Sequence, residues 1–153
     1  MKHEVYLLPN DRAFAEQRII QLEKEIQDLG PDFNDAFSQS SETWHDNSPF
    51  EAVRDKQSML AAELHQLRTL IRNASLQPPK IKRGTVGIGH TVWLANDRAY
   101  KIAGDWTPKA GHSEGGVVIV SRHTPVATEL IGKKKGEQVT FGAITSVIDR
   151  IDG

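Results

Sequence analysis

Residues 39–48 hold the groups in this chain that are best placed for chemistry. They include two carboxylates, Glu42 and Asp46, and the indole of Trp44, but no Lys or Arg. No basic residue occurs anywhere between Lys24 and Arg54, whereas that interval holds seven acids. A protein that binds nucleic acid by electrostatic attraction alone presents cations, so this part of the chain is not such a binding surface. A solvated helix face is the alternative interpretation of an acidic run.

Composition bounds the protein class. The chain has 153 residues, of which 38% are hydrophobic and 25% charged, as in folded globular domains. The absence of cysteine excludes disulfides and thiolate metal sites, and fits a reducing cytoplasm. No apolar run approaches the roughly 20 residues that span a bilayer, and the N-terminus does not resemble a signal peptide. We therefore expect a cytoplasmic protein with no membrane partner.

An apolar repeat precedes the acidic stretch of residues 39–48. From Asn10 to Phe37 the apolar positions alternate in steps of four and three, which predicts a helix with a coiled-coil seam. Asn10 is the predicted N-cap. A kink or short break is expected at Gly30-Pro31, and the unbroken phase of the seam favours the kink. The predicted seam is Ala15, Ile19, Leu22, Ile26, Leu29, Phe33 and Ala36.

A second repeat follows the acidic stretch. Ser48-Pro49-Phe50-Glu51 combines an N-cap serine, a proline at the first helical position and a glutamate at the third. The helix should end near residues 73–75, before Pro78-Pro79. Gln57 is the single polar seam position and is predicted to fix the pairing register. The predicted seam is Phe50, Val53, Gln57, Leu60, Leu64, Leu67 and Ile71.

The two repeats predict an antiparallel helical hairpin over residues 1–76, with the acidic stretch as its exposed tip. Each helix of about 25 residues would be about 38 Å long, which exceeds what the core of so small a domain needs. An ordinary helical layer packed on the second half, or a dimerisation coil, remains the alternative. Net charge is divided unevenly, since residues 1–75 carry −5 and residues 76–153 carry +4.

Residues 80–153 change to β-branched residues, glycines and a period of two, which predicts an α+β domain of antiparallel strands with one short helix. The helix should span Thr124–Ile131, with Pro125 at its first position. Lys133-Lys134-Lys135 is interpreted as a solvated turn or a contact for an acidic partner. The predicted strands are Thr85–Leu94, Ala99–Ala103, Gly116–Ser121, Gln138–Gly142 and Ala143–Ile151.

No catalytic constellation stands out in this half. His90, His112 and His123 lack metal-ligand spacing, so we expect no metal bound by the isolated protein. The glycines at 84, 87 and 89 do not match a dinucleotide-binding fingerprint and are interpreted as turn residues.

Residues 124–139 resemble a signature in the C-terminal domain of bacterial Gre transcript-cleavage factors. The shared pattern is a Ser/Thr-Pro start, the Leu130-Ile131-Gly132-Lys133 helix end, and the Gly136-Glu137-Gln138-Val139 strand entry. Tyr100-Lys101-Ile102-Ala103-Gly104 is similar to an upstream strand of that family. Asp46-Asn47-Ser48-Pro49-Phe50 stands where the family reads Glu-Asn-x-Glu-Tyr.

The resemblance implies a C-terminal domain with an FKBP-like fold. That domain would dock on RNA polymerase, at the largest-subunit coiled coil on the rim of the secondary channel. Thr124, Pro125, Lys133 and Lys134 are the implied docking residues. The hairpin would enter the channel, and the carboxylates of Asp46 and Glu42 would assist the polymerase's own Mg²⁺ in cutting backtracked RNA near its 3′ end.

By this resemblance the chain is a monomeric accessory factor rather than an enzyme. It would have no cofactor of its own and would act on RNA indirectly, through the polymerase active site.

The acidic stretch departs from the family pattern. An ungapped carry-over places Asp46 on the second family acid but Thr43 on the first, with Glu42 one position away. Phe50 lacks the tyrosine hydroxyl, Trp44 and Pro49 are additions, and the basic patch of cleaving members has no counterpart nearby. Thr43, Trp44, Asn47 and Phe50 are the expected contacts of the tip.

Two polymerase-binding hypotheses follow. One is a factor that stimulates RNA cleavage, and the other is a modulator or inhibitor that occupies the channel without promoting cleavage. A prolyl isomerase or chaperone is a third hypothesis, suggested by the FKBP-like fold alone. A small-molecule binder or a structural dimer remains a further alternative.

Overall fold

The computed structural model describes the backbone of residues 5–42 and 49–153, and the side chains of residues 5–30 and 51–153. Two compact units are present. The helical unit is Ala13–Asn73, and the globular unit joins Ala74–Gly153 to the described residues that precede Ala13. Two long helices followed by a mostly antiparallel sheet with one short helix confirm the predicted α+β class.

Helix α1 spans Pro9–Glu42. The Leu8 carbonyl accepts the first helical hydrogen bond, from the Arg12 amide at 2.9 Å, so Pro9 occupies the first helical position. The prediction that Asn10 caps the helix is therefore wrong, because the fixed φ of Pro9 starts the helix one residue earlier. The helix continues through Gly30 and Pro31, so a break at that point is also excluded.

Helix α2 spans Pro49–Asn73, and its first residue is the proline that the sequence placed at the first helical position. The two helices are linked by ion pairs. Arg18 contacts Glu63 twice, at 2.7 and 2.9 Å, and this hydrogen bonding lowers the pKa of the Glu63 carboxyl. Arg68 contacts Glu23 at 3.1 Å.

Five of the described positions of the predicted seam are buried: Ala15, Leu22, Leu29, Leu64 and Leu67. Gln57 is exposed, so the prediction that it fixes the register from within the core is wrong. An amide there makes its hydrogen bonds with water, which avoids the cost of burial.

The length of the connection requires the helices to run antiparallel. Glu42 lies about 36 Å along α1 from Arg18, and Pro49 about 21 Å along α2 from Glu63, at 1.5 Å per residue. Parallel helices would separate Glu42 from Pro49 by well over 40 Å. The connecting chain reaches only about 25 Å when fully extended, so the predicted hairpin topology holds.

The globular unit is built on a six-stranded sheet. Its strands are β3 Thr91–Leu94, β4 Ala99–Ile102, β5 Ser113–Glu114, β6 Val117–Val120, β7 Gln138–Phe141 and β8 Ile144–Asp152. They lie in the order β5-β6-β4-β3-β8-β7. β4 and β6 are parallel, and every other neighbouring pair in this sheet is antiparallel. Helix α3, Pro125–Leu130, buries Ala127 and Leu130 in the core.

The predicted strand at Thr85–Leu94 is shorter than expected and begins at Thr91. The preceding residues form turns that contact the segment after α3. Thr85 bridges Lys134, and the Val86 amide donates to the Lys133 carbonyl at 2.9 Å.

Two short strands complete the globular unit, and the sequence did not predict either of them. β1, Val5–Tyr6, pairs in parallel with β2, Ala74–Ser75. The Tyr6 amide donates to Asp105 Oδ2 at 2.7 Å, and the Asp105 amide donates to the Tyr6 carbonyl at 2.7 Å. Asp105 also contacts Arg122 at 3.4 Å and His123 at 2.5 Å. These contacts fix the N-terminal strand beside the loop that follows β4.

Gly104 lies against this strand, and a Cβ there would collide with the Tyr6 carbonyl. We expect Gly104→Ala to lower the free energy of unfolding by about 1–3 kcal/mol, as overpacking does elsewhere. Urea unfolding followed by tryptophan fluorescence measures this, because Trp93 and Trp106 both lie in the globular unit.

Gly30→Ala is the matched control. A Cβ at this helical glycine meets nothing within 4 Å, so the change should raise stability by about 0.5–1 kcal/mol. An unchanged unfolding midpoint in Gly104→Ala would contradict the close approach of β1.

Candidate functional site

Four of the predicted contact residues, Thr43, Trp44, Asp46 and Asn47, lie outside the described residues. The structure describes the helix ends that bracket them. Glu42 is the last residue of α1, so α1 includes the first four residues of the acidic stretch. Phe50 is the second residue of α2. The site roles predicted for these six residues stay predictions.

The predicted docking residues are all described, and they lie at the two ends of α3. Thr124 is the N-cap: its Oγ1 accepts a hydrogen bond from the Ala127 amide at 3.2 Å and donates to the Ser121 carbonyl at 3.0 Å. Pro125 follows with an exposed ring. Capping and the fixed φ of proline together start this short helix at a defined residue.

The lysine turn at the other end of α3 is held by its backbone. The Lys133 carbonyl accepts from the Val86 amide, and the Gly132 amide donates to the Val86 carbonyl, both at 2.9 Å. The side chain of Lys133 is half-buried, and that of Lys134 is exposed. The backbone hydrogen bonds thus fix the position of the Lys133 main chain at the surface, while the lysine ammonium groups remain available to a partner.

A cavity of about 250 Å³ lies beside this turn. Its lining includes the aliphatic side chains of Ile81, Val86, Ile88 and Ile131, and no aromatic residue is among the residues that line it. A prolyl isomerase needs an aromatic-rich pocket, so this cavity does not support that hypothesis.

Basic residues surround the cavity, and we call the cavity with these residues the basic groove. Residues 79–88 and 131–135 contain no acid. Arg122 is partly neutralised by Asp105, at 3.4 Å. Three cations of the basic groove line the cavity: Lys80, Lys82 and Arg122. The others belong to the chain segments that adjoin the lining residues: Arg83, Lys133, Lys134 and Lys135.

Sequence reasoning singled out only the lysine turn and missed the part of the groove contributed by residues 80–83. The available signal was the Lys-Ile-Lys-Arg run directly after Pro78-Pro79. A basic run at the end of a linker indicates a contact surface when it folds back onto a second basic turn. The Thr85–Lys134 bridge brings the two together, and that pairing cannot be read from the sequence.

A second cavity in the globular unit, about 300 Å³ in volume, combines charges of both signs. Lys109 pairs there with Glu114 at 2.8 Å. Burial raises the pKa of the Asp11 carboxyl, against the opposing effects of a hydrogen bond to Thr107 and the charge of Lys101. The ionised form of Asp11 is therefore less favourable in the folded protein than in the unfolded chain.

Because the pKa of Asp11 is higher in the folded state, its contribution to stability falls as pH rises through the interval between the unfolded and folded values. We expect Asp11→Asn to raise the free energy of unfolding at pH 7 and to have little effect near pH 3, where the carboxyl is protonated in both states. Urea unfolding at both pH values measures the difference.

The exposed Asp149→Asn is the control and should show no comparable gain at pH 7. A gain for Asp11→Asn that was equal at both pH values would mean that charge is not its cause.

The histidines have structural contacts within the globular unit. His90 Nδ1 accepts from the Gly87 amide at 3.0 Å, and His123 contacts Asp105. Within the described residues, no group of three or more His, Asp or Glu side chains could hold a metal ion. In the same part of the chain, no helix is long and apolar enough to cross a membrane.

Comparison with known proteins places the chain among transcription elongation factors, although no family model matches it. It is 29% identical over 110 residues to GreA of Nitratiruptor, covering 68% of this chain and 64% of that factor. It is 30% identical over 99 residues to GreA of Macrococcus caseolyticus, covering 61% and 60% respectively. The chain thus aligns with somewhat less than two thirds of these two relatives.

Solved structures of two homologues of the GreA factor also resemble the whole chain. The Thermus thermophilus GreA factor homolog 1 is 17% identical, with a TM-score of 0.45 over 99% of this chain and 100% of that one. The Thermus aquaticus Gfh1 is 16% identical, with a TM-score of 0.40 over the same shares.

A longer alignment joins the chain to transcription elongation factor GreA of Lactococcus lactis. The two are 30% identical over 117 residues, which is 70% of this chain and 72% of that factor. An alignment of this length extends beyond a single motif. This chain belongs to the Gre family of transcription elongation factors.

Proposed function

We propose that this protein binds RNA polymerase at the rim of the secondary channel and stimulates cleavage of backtracked RNA. The observation that carries the proposal is the docking edge formed by α3 and the lysine turn. Thr124 caps α3, Pro125 is exposed, and the backbone of Lys133 is fixed by Val86. A rigid edge of this kind limits the conformational freedom lost on binding.

The basic residues near the docking edge complement an acidic coiled-coil surface. Exposed cations such as Lys134 speed the encounter with an oppositely charged partner and lose influence as salt rises. The exposed Ile131, at 37%, adds an apolar contact at the C-terminal end of α3. One copy of the protein per polymerase, in the cytoplasm, satisfies this arrangement.

The acidic stretch supplies the chemistry in this proposal. Mg²⁺ takes oxygen ligands and usually keeps only one or two carboxylates beside water and phosphate. Asp46 and Glu42 would orient the second Mg²⁺ of the polymerase and its water, and the polymerase active site would perform the phosphoryl transfer. The protein therefore has no cofactor of its own and contacts the RNA 3′ end only indirectly.

Stalled, backtracked elongation complexes provide the direct test. Adding the protein should release short 3′ RNA fragments, and Asp46→Asn should reduce the cleavage rate by about two orders of magnitude or more, as loss of a catalytic electrostatic group does. Glu42→Gln should have a similar effect if both carboxylates act.

Lys134→Glu, at the docking edge, should instead raise the concentration of protein needed for half-maximal cleavage. Its rate at saturation should be unchanged. Asp149→Asn is the control for charge loss away from both surfaces. Failure of the unmodified protein to release RNA at saturating concentration would refute cleavage stimulation.

A second candidate is a factor that occupies the channel without promoting cleavage. The observation that favours it is Thr43, which stands where the family resemblance places the first acid. A threonine hydroxyl is a weaker Mg²⁺ ligand than a carboxylate. Glu42 is the last residue of α1, so the helix itself extends to the position before Thr43.

Thr43→Asp separates the two candidates. If the protein is a channel occupant, the unmodified form should slow elongation without releasing RNA, and Thr43→Asp should gain cleavage activity. Thr43→Ser controls for substitution at this position and should leave the protein inactive in cleavage. Cleavage by the unmodified protein that disappears in Glu42→Gln would exclude this second candidate.

A further inference from the structure

We propose that the basic groove binds the acidic segment of a second copy of this chain, so that the free protein self-associates reversibly. We define the acidic segment as residues 25–51. The inference does not depend on polymerase binding, because it concerns the protein alone.

The basic groove has charge of one sign around an apolar floor. Lys80 and Lys82 line the cavity together with Ile81, and Lys134 lies across the Thr85 bridge. Ile81 and Ile131 are 39% and 37% exposed, so apolar surface is accessible between the cations. A surface of this composition is suited to a partner that combines negative charge with apolar side chains.

The floor of the cavity favours a polypeptide over a nucleic acid. Proteins that bind single strands place aromatic side chains under the bases, whereas the residues that line this cavity are aliphatic, polar or basic. A cavity of about 250 Å³ with aliphatic walls suits one large apolar side chain.

The packing of Ile81 on Gly87 keeps this cavity in place, because the Ile81 side chain occupies the position that a Cβ of residue 87 would take. The Thr85 hydroxyl donates to the Lys82 carbonyl at 2.6 Å and closes the turn from Lys82 to Thr85. The groove is therefore a structured surface rather than a set of independent lysines.

The acidic segment has the complementary composition. It carries all seven acids found between Lys24 and Arg54 and no Lys or Arg, and no other stretch of the chain is free of Lys and Arg for as long. It also contains four large aromatic residues that could fill the cavity: Phe33, Phe37, Trp44 and Phe50. Charge and apolar anchor thus occur together in one segment of this chain.

Such a contact would cover the acidic stretch and the docking edge at once. Association would therefore compete with any partner that uses either surface. Because the proposed attraction is electrostatic, it should weaken as the Debye length falls from about 20–30 Å at low salt to about 5 Å in 0.4 M salt.

Sedimentation velocity of the protein alone tests the proposal. At about 20 mM salt the weight-average mass should rise from monomer toward dimer with concentration, and it should return to monomer in about 0.4 M salt. Lys82→Glu combined with Lys134→Glu should abolish association, as should neutralisation of Asp28, Asp32 and Asp35 to Asn. Arg98→Glu, an exposed charge in the β3–β4 turn, should leave it intact.

Sedimentation velocity of a mixture of the two association-deficient variants is the decisive experiment. The groove variant keeps its acidic segment and the segment variant keeps its groove, so a 1:1 heterodimer should form. Circular dichroism of each variant shows whether it remains folded.

Several results would overturn the proposal. They are a monomer at every concentration, dimers that persist in the groove variant, no heterodimer on mixing two folded variants, or tight binding of single-stranded RNA that the groove variant loses while the protein alone stays monomeric.

Discussion

Two hydrogen bonds between Tyr6 and Asp105 hold the N-terminal strand β1 in the globular unit. The pairing of β1 with β2 depends on this attachment. The backbone of Tyr6 both donates to and accepts from Asp105, at 2.7 Å in each case. Only a glycine fits at the neighbouring position 104. The parallel pairing of β1 with β2 then joins the residues just before α1 to those just after α2. The chain therefore runs from β1 into α1 and from α2 into β2, and these two strands are paired with each other.

This constraint explains why a carboxylate occurs at position 105. Asp105 satisfies a backbone amide and contacts Arg122 and His123, so both oxygens of this mostly buried carboxylate have polar partners. A buried carboxylate without such partners would be costly. The same Arg122 lines the basic groove. One ion pair thus links the attachment of the N-terminal strand to the surface that carries the proposed self-association.

The sequence predicted the helices, because local periodicity and capping residues determine them. The heptad seam located both helices, and Pro49 and Thr124-Pro125 located helix starts within a residue, because capping and proline act on their immediate neighbours. It did not predict β1 and β2, since a two-residue strand has no measurable period and its partner is about 70 residues away. The role predicted for Gln57 was wrong because its side chain is exposed, and an amide that stays in water avoids the cost of burial.

The site shows the same division between local and distant information. The lysine turn was interpreted from its own residues as a solvated turn or a contact for an acidic partner. Residues 80–83 lie near it because Thr85 bridges Lys134, a pairing that no local pattern encodes. The functional role of the acidic stretch stays a prediction from the sequence. The structure gives the ends of the two helices that flank it, Glu42 for α1 and Pro49 for α2.

The extent of α1 bears on which carboxylate can act. Glu42 is the last residue of α1, so its backbone is constrained by the helical φ and ψ of the preceding turn. In the proposed cleavage mechanism, Glu42 would supply the carboxylate oxygen that the threonine at position 43 lacks.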